Sequence, residues 1–145
     1  MPAIARRTGL SAGLLLVLTL SLHADTHQQI VDLLANMTAS LAEDNVDGFM
    51  KGFDHNMPGY GDLKRQIEGL LLDYEISSSV EPIADEGSAD KRSFDLDWYM
   101  ELTSRVQTGP TVRRRKVVHC DLELQGKHWR IVSLKPLSFF TDKAE

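Results

Sequence analysis

The most regular pattern in the chain is an alternation of apolar and polar residues in its second half. Strict alternation puts the apolar side chains on one face of an extended strand and the polar ones on the other. The pattern therefore predicts a long, half-buried β-strand over residues 93–103. Its apolar positions are Phe94, Leu96, Trp98, Met100 and Leu102.

Three segments before this strand have apolar residues at helical spacing. The spacing predicts helices over residues 28–43, 46–53 and 60–74. Pro58 and two glycines in the intervening residues 54–61 disfavour continuation of the second helix. The N-terminal half of the chain is therefore predicted to be helical.

Further strands are predicted on either side of residues 93–103. Residues 76–83 and 112–124 alternate in the same way, and Pro82 indicates a sheet edge or a bulge. Gly126 and Lys127 predict a two-residue hairpin with glycine at its first central position, leading into a last strand. These elements predict an α+β domain with three N-terminal helices packed on a curved antiparallel sheet of about four strands.

The two-residue turn also predicts which residues face one another across the last hairpin. An apolar face and an ion-paired face follow together from this single assumption, which supports it. The expected apolar-face pairs are Leu124 with Trp129, Leu122 with Ile131 and Cys120 with Ser133, and Glu123 is expected opposite Arg130 on the other face.

The first 24 residues have the order of a secretory signal. Arg6 and Arg7 precede an apolar run over residues 14–20, and Ala24 offers a small residue for cleavage. We predict a signal peptide over residues 1–24 and a single domain over residues 25–145, exported to the periplasm or secreted. The alternative is an uncleaved segment that holds the protein at the membrane.

The net charge limits the expected classes of partner, and the cysteine content limits the expected chemistry. The net charge is -5, and it becomes -7 when Arg6 and Arg7 are removed with the signal segment. An acidic domain is poorly suited to nucleic acid or an anionic lipid surface, so we expect no nucleic-acid partner and no membrane contact after cleavage. Cys120 is the single cysteine and is expected to be a buried, inert thiol.

The order of elements resembles the nuclear transport factor 2-like superfamily, the cone-shaped fold shared by ketosteroid isomerases, scytalone dehydratases and polyketide-cyclase-like domains. The resemblance rests on the first helix, residues 46–50, the Trp98 strand and residues 126–132. It implies a cavity between the helices and the concave sheet face, and dimerisation through the opposite face. The short strand that these folds often place between the second and third helices is not evident.

The leading hypothesis is a domain that binds a small apolar ligand in this cavity or acts as a protein-interaction module. No general acid or base lies on the expected concave face, which favours a non-catalytic role with no cofactor. The expected pocket is lined by Phe94, Leu96, Trp98, Met100, Leu122, Trp129 and Ile131.

An enzymatic alternative depends on the loop between the second and third helices. Asp54, His55 and Tyr60 are candidate acid–base groups near the expected pocket rim, suited to an isomerase, dehydratase or cyclase. Turn formation by Asp54 is the simpler interpretation of the same residues.

The polar face of the strands predicts ion pairs rather than a site. Asp95, Asp97 and Glu101 share this face with Arg113 and Arg115 on the neighbouring strand, so cross-strand pairing is expected.

No metal site is predicted. Because adjacent strand residues point to opposite faces, His119 and Cys120 are not expected to bind one metal ion. Adding His128 as a third candidate ligand does not change this expectation.

A third expectation is a homodimer that forms through this polar face of the sheet. The expected interface residues are Tyr99, Val117, Val132 and Leu134.

Overall fold

The fold consists of helices packed on one face of an antiparallel sheet. The computed structural model describes the backbone of residues 11–142 and the side chains of residues 25–142. The four strands form one sheet in the order β1-β2-β3-β4, so the predicted α+β class is confirmed. The elements are α1 (Ser11–Ala42), α2 (Val46–Met50), α3 (Tyr60–Asp73), β1 (Tyr74–Gly87), β2 (Lys91–Ser104), β3 (Thr111–Gln125), β4 (His128–Lys135) and α4 (Ser138–Thr141).

Helix α1 is longer than the sequence predicted. It begins at Ser11 rather than at residue 28 and is continuous through the expected cleavage position after Ala24. Residues 1–10 of the expected signal peptide lie outside the described residues, and cleavage stays a prediction. Within the described part of the chain, no helix combines the length and the apolar character that a membrane span requires.

Helix α2 ends three residues earlier than predicted because the backbone leaves it to pair with β4. The Asn45 side chain caps the helix by accepting from Gly48 N at 2.9 Å. Beyond Met50, Phe53 forms a parallel bridge with Ile131, whose amide donates to the Gly52 carbonyl at 2.8 Å. This bridge takes the place of the short strand that was not evident from the sequence.

The sheet follows the predicted order with longer strands. Strand β1 extends to Gly87, four residues beyond the predicted end at residue 83, and this extension is paired with β2. Its register shifts between Pro82 and Ala84, and β1 is an edge strand. Both expectations from Pro82, an edge and a bulge, are confirmed.

The last hairpin has the predicted register near its turn and a different one beyond it. Gly126 adopts a φ of +64°, and Leu124 faces Trp129 while Leu122 faces Ile131. The predicted pairing of Cys120 with Ser133 is wrong, because a register shift between Asp121 and Leu122 pairs Cys120 with Leu134.

The same shift moves Leu134 to the core side of the sheet, where it is 5% exposed. Its expected place in a dimer interface on the polar face is therefore wrong.

Helix α4 completes the core and was not predicted. Phe139 and Phe140 are both buried, and the Phe140 ring contacts Trp98 edge-to-face at a centroid distance of 5.0 Å. Such aromatic contacts add to the free energy gained by burial. The core therefore lies between the helices and the sheet face that carries Trp98, called the inner face below.

Candidate functional site

The seven residues expected to line a pocket lie together in the core. All are buried, and Trp98 has no exposed surface. Six of them line none of four open clefts, of about 240, 310, 450 and 500 Å³, that the described residues form. The exception is Trp129, which lines the 310 Å³ cleft and donates to Gln29 Oε1 at 3.1 Å.

The space facing β2 is occupied by aromatic side chains of the helices. Phe49 lies 5.3 Å from Phe53 and 5.9 Å from Phe140, measured between ring centroids. Trp98 Nε1 donates to Ser78 Oγ at 2.6 Å, so the one polar atom of the indole is satisfied. These contacts fill the space in front of Trp98 with apolar groups.

One charged group does lie on the inner face, and the sequence analysis missed it. Arg92 is 7% exposed and is the only charged side chain that is buried among the described residues. It forms an ion pair with Asp85, whose other oxygen lies 2.8 Å from His27 Nδ1. The available signal was the position of Arg92, two residues before Phe94 in the apolar alternation.

The candidate acid–base residues of the loop are only partly brought together. The rings of His55 and Tyr60 stack at a centroid distance of 5.0 Å. Asp54 accepts from Asn56 N at 2.6 Å and from the Gln125 side chain. These hydrogen bonds, with that from Gln125 the larger effect, hold the pKa of Asp54 below its usual value. Asp54 therefore shapes the turn, and its carboxylate is stabilised in the ionised form.

The polar face of the sheet, called the outer face below, carries the predicted cross-strand ion pairs. Arg115 makes two bonds to the Asp97 carboxylate, at 2.6 and 3.0 Å, and these bonds lower the pKa of Asp97. Arg113 Nε donates to Glu101 Oε2 at 3.1 Å. The pKa of Glu101 is lowered first by the Tyr99 hydroxyl and then by Arg113. The predicted pairing is confirmed.

His119 extends this row of ion pairs. Its Nδ1 lies 2.8 Å from Asp95 Oδ1 and its Nε2 lies 3.2 Å from Asp121 Oδ1. The hydrogen bond to Asp95 is the main reason that the pKa of His119 is raised. At the end of the face, Glu123 lies opposite Arg130 as predicted, but its carboxylate lies 3.9 Å from Lys91 and forms its ion pair there.

The geometry gives no metal site within the described residues. No group of three or more His, Cys, Asp or Glu side chains converges there on a point that could hold an ion. Cys120 lies on the inner face, away from His119, and burial raises the pKa of its thiol. The thiol is therefore a weak nucleophile.

An open cleft of about 450 Å³ runs along the outer face where β1 meets β2. Its lining mixes carboxylates, a guanidinium and an aromatic ring. Of the four residues expected at a dimer interface, Tyr99, Val117 and Val132 are on this face, and Val117 is 50% exposed. The cleft is lined by Ser79, Val80, Glu81, Asp97, Tyr99 and Arg115.

Comparison with known proteins finds similarity only among solved structures. No protein-family model matches the chain. No curated protein matches it either. A putative scytalone dehydratase from Novosphingobium aromaticivorans superposes with a TM-score of 0.71 at 10% identity, over 79% of this chain and 84% of that one.

Two further structures have the same architecture. A nuclear transport factor 2-like superfamily protein from Salmonella enterica gives a TM-score of 0.63 at 13% identity, over 77% of this chain and 89% of that one. A type 2 hexachlorocyclohexane dehydrochlorinase gives 0.63 at 15% identity, over 78% and 84%. At such identities the similarity concerns the fold.

Proposed function

We propose that this chain, which has the nuclear transport factor 2-like fold, is an exported, non-catalytic interaction module that pairs with a second copy of itself through the outer face. The single observation that carries the proposal is the contrast between the two faces of β2. From Phe94 to Leu102 the inner face of β2 is packed with apolar side chains, while its outer face presents an ordered set of charges.

The non-catalytic part of the proposal follows from the chemistry of the inner face. An acid–base enzyme places a proton donor or acceptor within hydrogen-bond reach of its substrate. On the inner face of β2 the central positions facing the helices, Phe94, Leu96, Trp98 and Met100, have no titratable group, and the buried Arg92 at the start of the strand is held in an ion pair with Asp85. A substrate there would first have to displace Phe49 or Phe140 from contact with its aromatic neighbours.

The dimer follows from the order of charges across β2 and β3. Three of the pairs that face one another on the outer side of these strands have opposite charge when His119 is protonated: Lys91 with Glu123, Asp95 with His119 and Glu101 with Arg113. Consider a two-fold axis parallel to the strands and midway between β2 and β3. Rotation about this axis would place each residue of one copy opposite its own cross-strand partner in the second copy. Symmetric interfaces must be self-complementary in this way.

The size of the outer face is sufficient for such an interface. Four strands of 14, 14, 15 and 8 residues, at about 4.8 Å spacing and about 3.4 Å per residue, cover about 800 Å². This equals the area that each partner buries in an interface of standard size. Tyr99 and Val117 supply aromatic and apolar surface near its centre.

The test uses two charge-reversed variants that should fail alone and succeed together. Arg113→Glu/Arg115→Glu makes the face acidic, and Asp97→Lys/Glu101→Lys makes it basic. We expect each to weaken self-association by more than about tenfold, because like charges then meet across the interface. An equimolar mixture should form heterodimers, which native mass spectrometry identifies by mass.

The control is Lys51→Glu/Lys127→Glu, which makes the same change in charge outside the four strands. This control should dimerise like the wild type. Wild-type protein that stays monomeric at a concentration of about 100 μM would overturn the dimer, because a dissociation constant above this concentration is weak for a specific complex. Variants that do not combine with each other would also overturn it.

Export is tested separately by the N-terminus of the protein produced in its own host. The proposal expects a chain that begins at Asp25 in the extracytoplasmic fraction. A chain in that host that keeps Arg6 and Arg7 would exclude cleavage and favour the membrane-held alternative.

A further inference from the structure

A second surface, remote from the charge pattern of the outer face, has the properties of a peptide-binding groove. It lies between the end of α1, helix α3 and the turn after β2, and we call it the α3 groove. Its volume is about 500 Å³, within the usual range of ligand-binding pockets. It is lined by Asp44, Val46, Glu68, Leu71, Leu72 and Arg105.

The groove places an exposed leucine beside the buried stripe of helix α3. Helix α3 already buries a full stripe of residues, Leu63, Ile67 and Leu71. Leu72 follows this stripe but is 79% exposed, and Val106, next to the groove residue Arg105, is 67% exposed. Grouped apolar exposure of this kind marks an interaction surface more often than isolated apolar residues do.

The groove is acidic because Arg105, the one basic residue in its lining, is already held by other groups of the protein. Arg105 Nη2 lies 2.7 Å from Asp44 Oδ1, its Nη1 lies 3.8 Å from Glu75 Oε1, and its Nε donates to the Leu71 carbonyl at 3.0 Å. Glu68 forms no ion pair with any described residue. It lies one helical turn before Leu72, so a carboxylate stands beside the exposed leucine.

We propose that the α3 groove binds an apolar segment flanked by basic residues in a partner protein. A leucine-sized side chain of the partner would pack on Leu72 and Leu71. A lysine or arginine neighbour would meet Glu68, the lining carboxylate that Arg105 does not engage. The apolar anchor supplies affinity and the charges supply selectivity, as in other peptide grooves.

This proposal is independent of the outer face. None of the six lining residues belongs to the charge pairs of β2 and β3. If the protein dimerises, each dimer presents two α3 grooves, and a bivalent partner would gain avidity without any new contact. If it stays monomeric, the single groove is unchanged.

The probe is a ten-residue peptide with two adjacent leucines between pairs of lysines, compared with the same peptide carrying glutamates instead of lysines. Binding is followed by fluorescence anisotropy and mapped by amide chemical shifts. We expect the lysine peptide to shift the amides of α3 and of residues 104–106. We expect the glutamate peptide to bind at least about tenfold more weakly.

The variants distinguish specific binding in the α3 groove from nonspecific binding. Leu72→Ser should weaken binding of the lysine peptide by at least about tenfold, as loss of an interface anchor does. Glu68→Lys should reduce the preference for lysine over glutamate. Ile83→Ser is the matched control because Ile83 is exposed but lies outside the groove, and it should bind like the wild type.

Three results would overturn the proposal: equal binding of the two peptides, equal weakening by Leu72→Ser and Ile83→Ser, or no binding up to millimolar peptide. Repeating the peptide titration on the Arg113→Glu/Arg115→Glu variant distinguishes failure of the groove proposal from failure of the dimer proposal. The groove is intact in that variant whether or not self-association is lost.

Discussion

The two faces of β2 use one alternating sequence for two purposes. On the inner face, side chains from Phe94 to Leu102 are removed from solvent and packed against the helices. On the outer face, Asp97 and Glu101 are held by guanidinium groups of β3. Apolar packing on one side stabilises the domain, and the charged side is left available for association. The difference shows how one alternating strand can supply both core packing and an ordered charged surface.

The contrast also appears within one type of interaction. Arg92 and Asp85 form an ion pair on the inner side, where the two side chains are 7% and 18% exposed. Arg115 and Asp97 form an ion pair on the outer side, where Arg115 is largely exposed. A buried charge that loses its partner is strongly destabilising, whereas exposed pairs are screened by water and contribute little.

The largest expected effect is on the inner face. Trp98→Ala should reduce the free energy of unfolding by about 3–5 kcal/mol, because it leaves a cavity among Phe139, Phe140 and their neighbours. The measurement is the urea midpoint at one fixed protein concentration. At a concentration where the protein is monomeric, Val117→Ala on the outer face should change the free energy of unfolding by less than about 0.5 kcal/mol. Equal midpoints for the two variants would remove the distinction between the faces.

A smaller effect distinguishes the two ion pairs. Asp85→Asn should reduce stability by about 3 kcal/mol, because it leaves the Arg92 charge buried without its carboxylate. Asp97→Asn, the matched change on the outer face, should leave the urea midpoint of the monomer nearly unchanged. If both variants lose the same stability, burial does not decide the strength of these pairs.

The smallest effect is a pH dependence on the outer face. The pKa of His119 is raised above 6.5 by Asp95 and Asp121, and Lys135 faces His119 from β4. A raised folded-state pKa means that the stabilisation is complete below pH 6.5 and is lost as the pH rises through the folded-state value. Because His119 is half exposed, its contribution should stay below about 1 kcal/mol.

An NMR titration of the His119 imidazole checks this directly. We expect its midpoint above 6.5, the ordinary value for histidine, and a lower midpoint in Asp95→Asn. A midpoint that does not respond to this substitution would show that the cross-strand contact does not hold the charge.

The strands of the sheet could be predicted because one short-range pattern encodes them. Alternation around Trp98 located β2 and its inner face, and the turn at Gly126 gave the correct pairing of Leu122 and Leu124. The ion pairs of Asp97 and Glu101 followed, because neighbouring strands with opposite charges on one face leave few other partners.

The features that were missed depend on contacts between distant residues. The register shift beyond Leu122 reverses the face of Leu134, and no local pattern marks it. Helix α4 is only four residues long, too short for a helical period to be visible. The pair of His27 with Asp85 joins residues 58 positions apart, so it appears only when α1 lies beside the end of β1.

The most direct test of the contrast is a native mass spectrum of the protein purified from the extracytoplasmic fraction of its own host. One spectrum reports processing, the number of copies and any retained small molecule. We expect a dimer of chains that begin at Asp25, with no additional mass, because the inner face is packed and the outer face pairs with itself. A monomer at every concentration, or a chain that carries a bound small molecule, would contradict this interpretation.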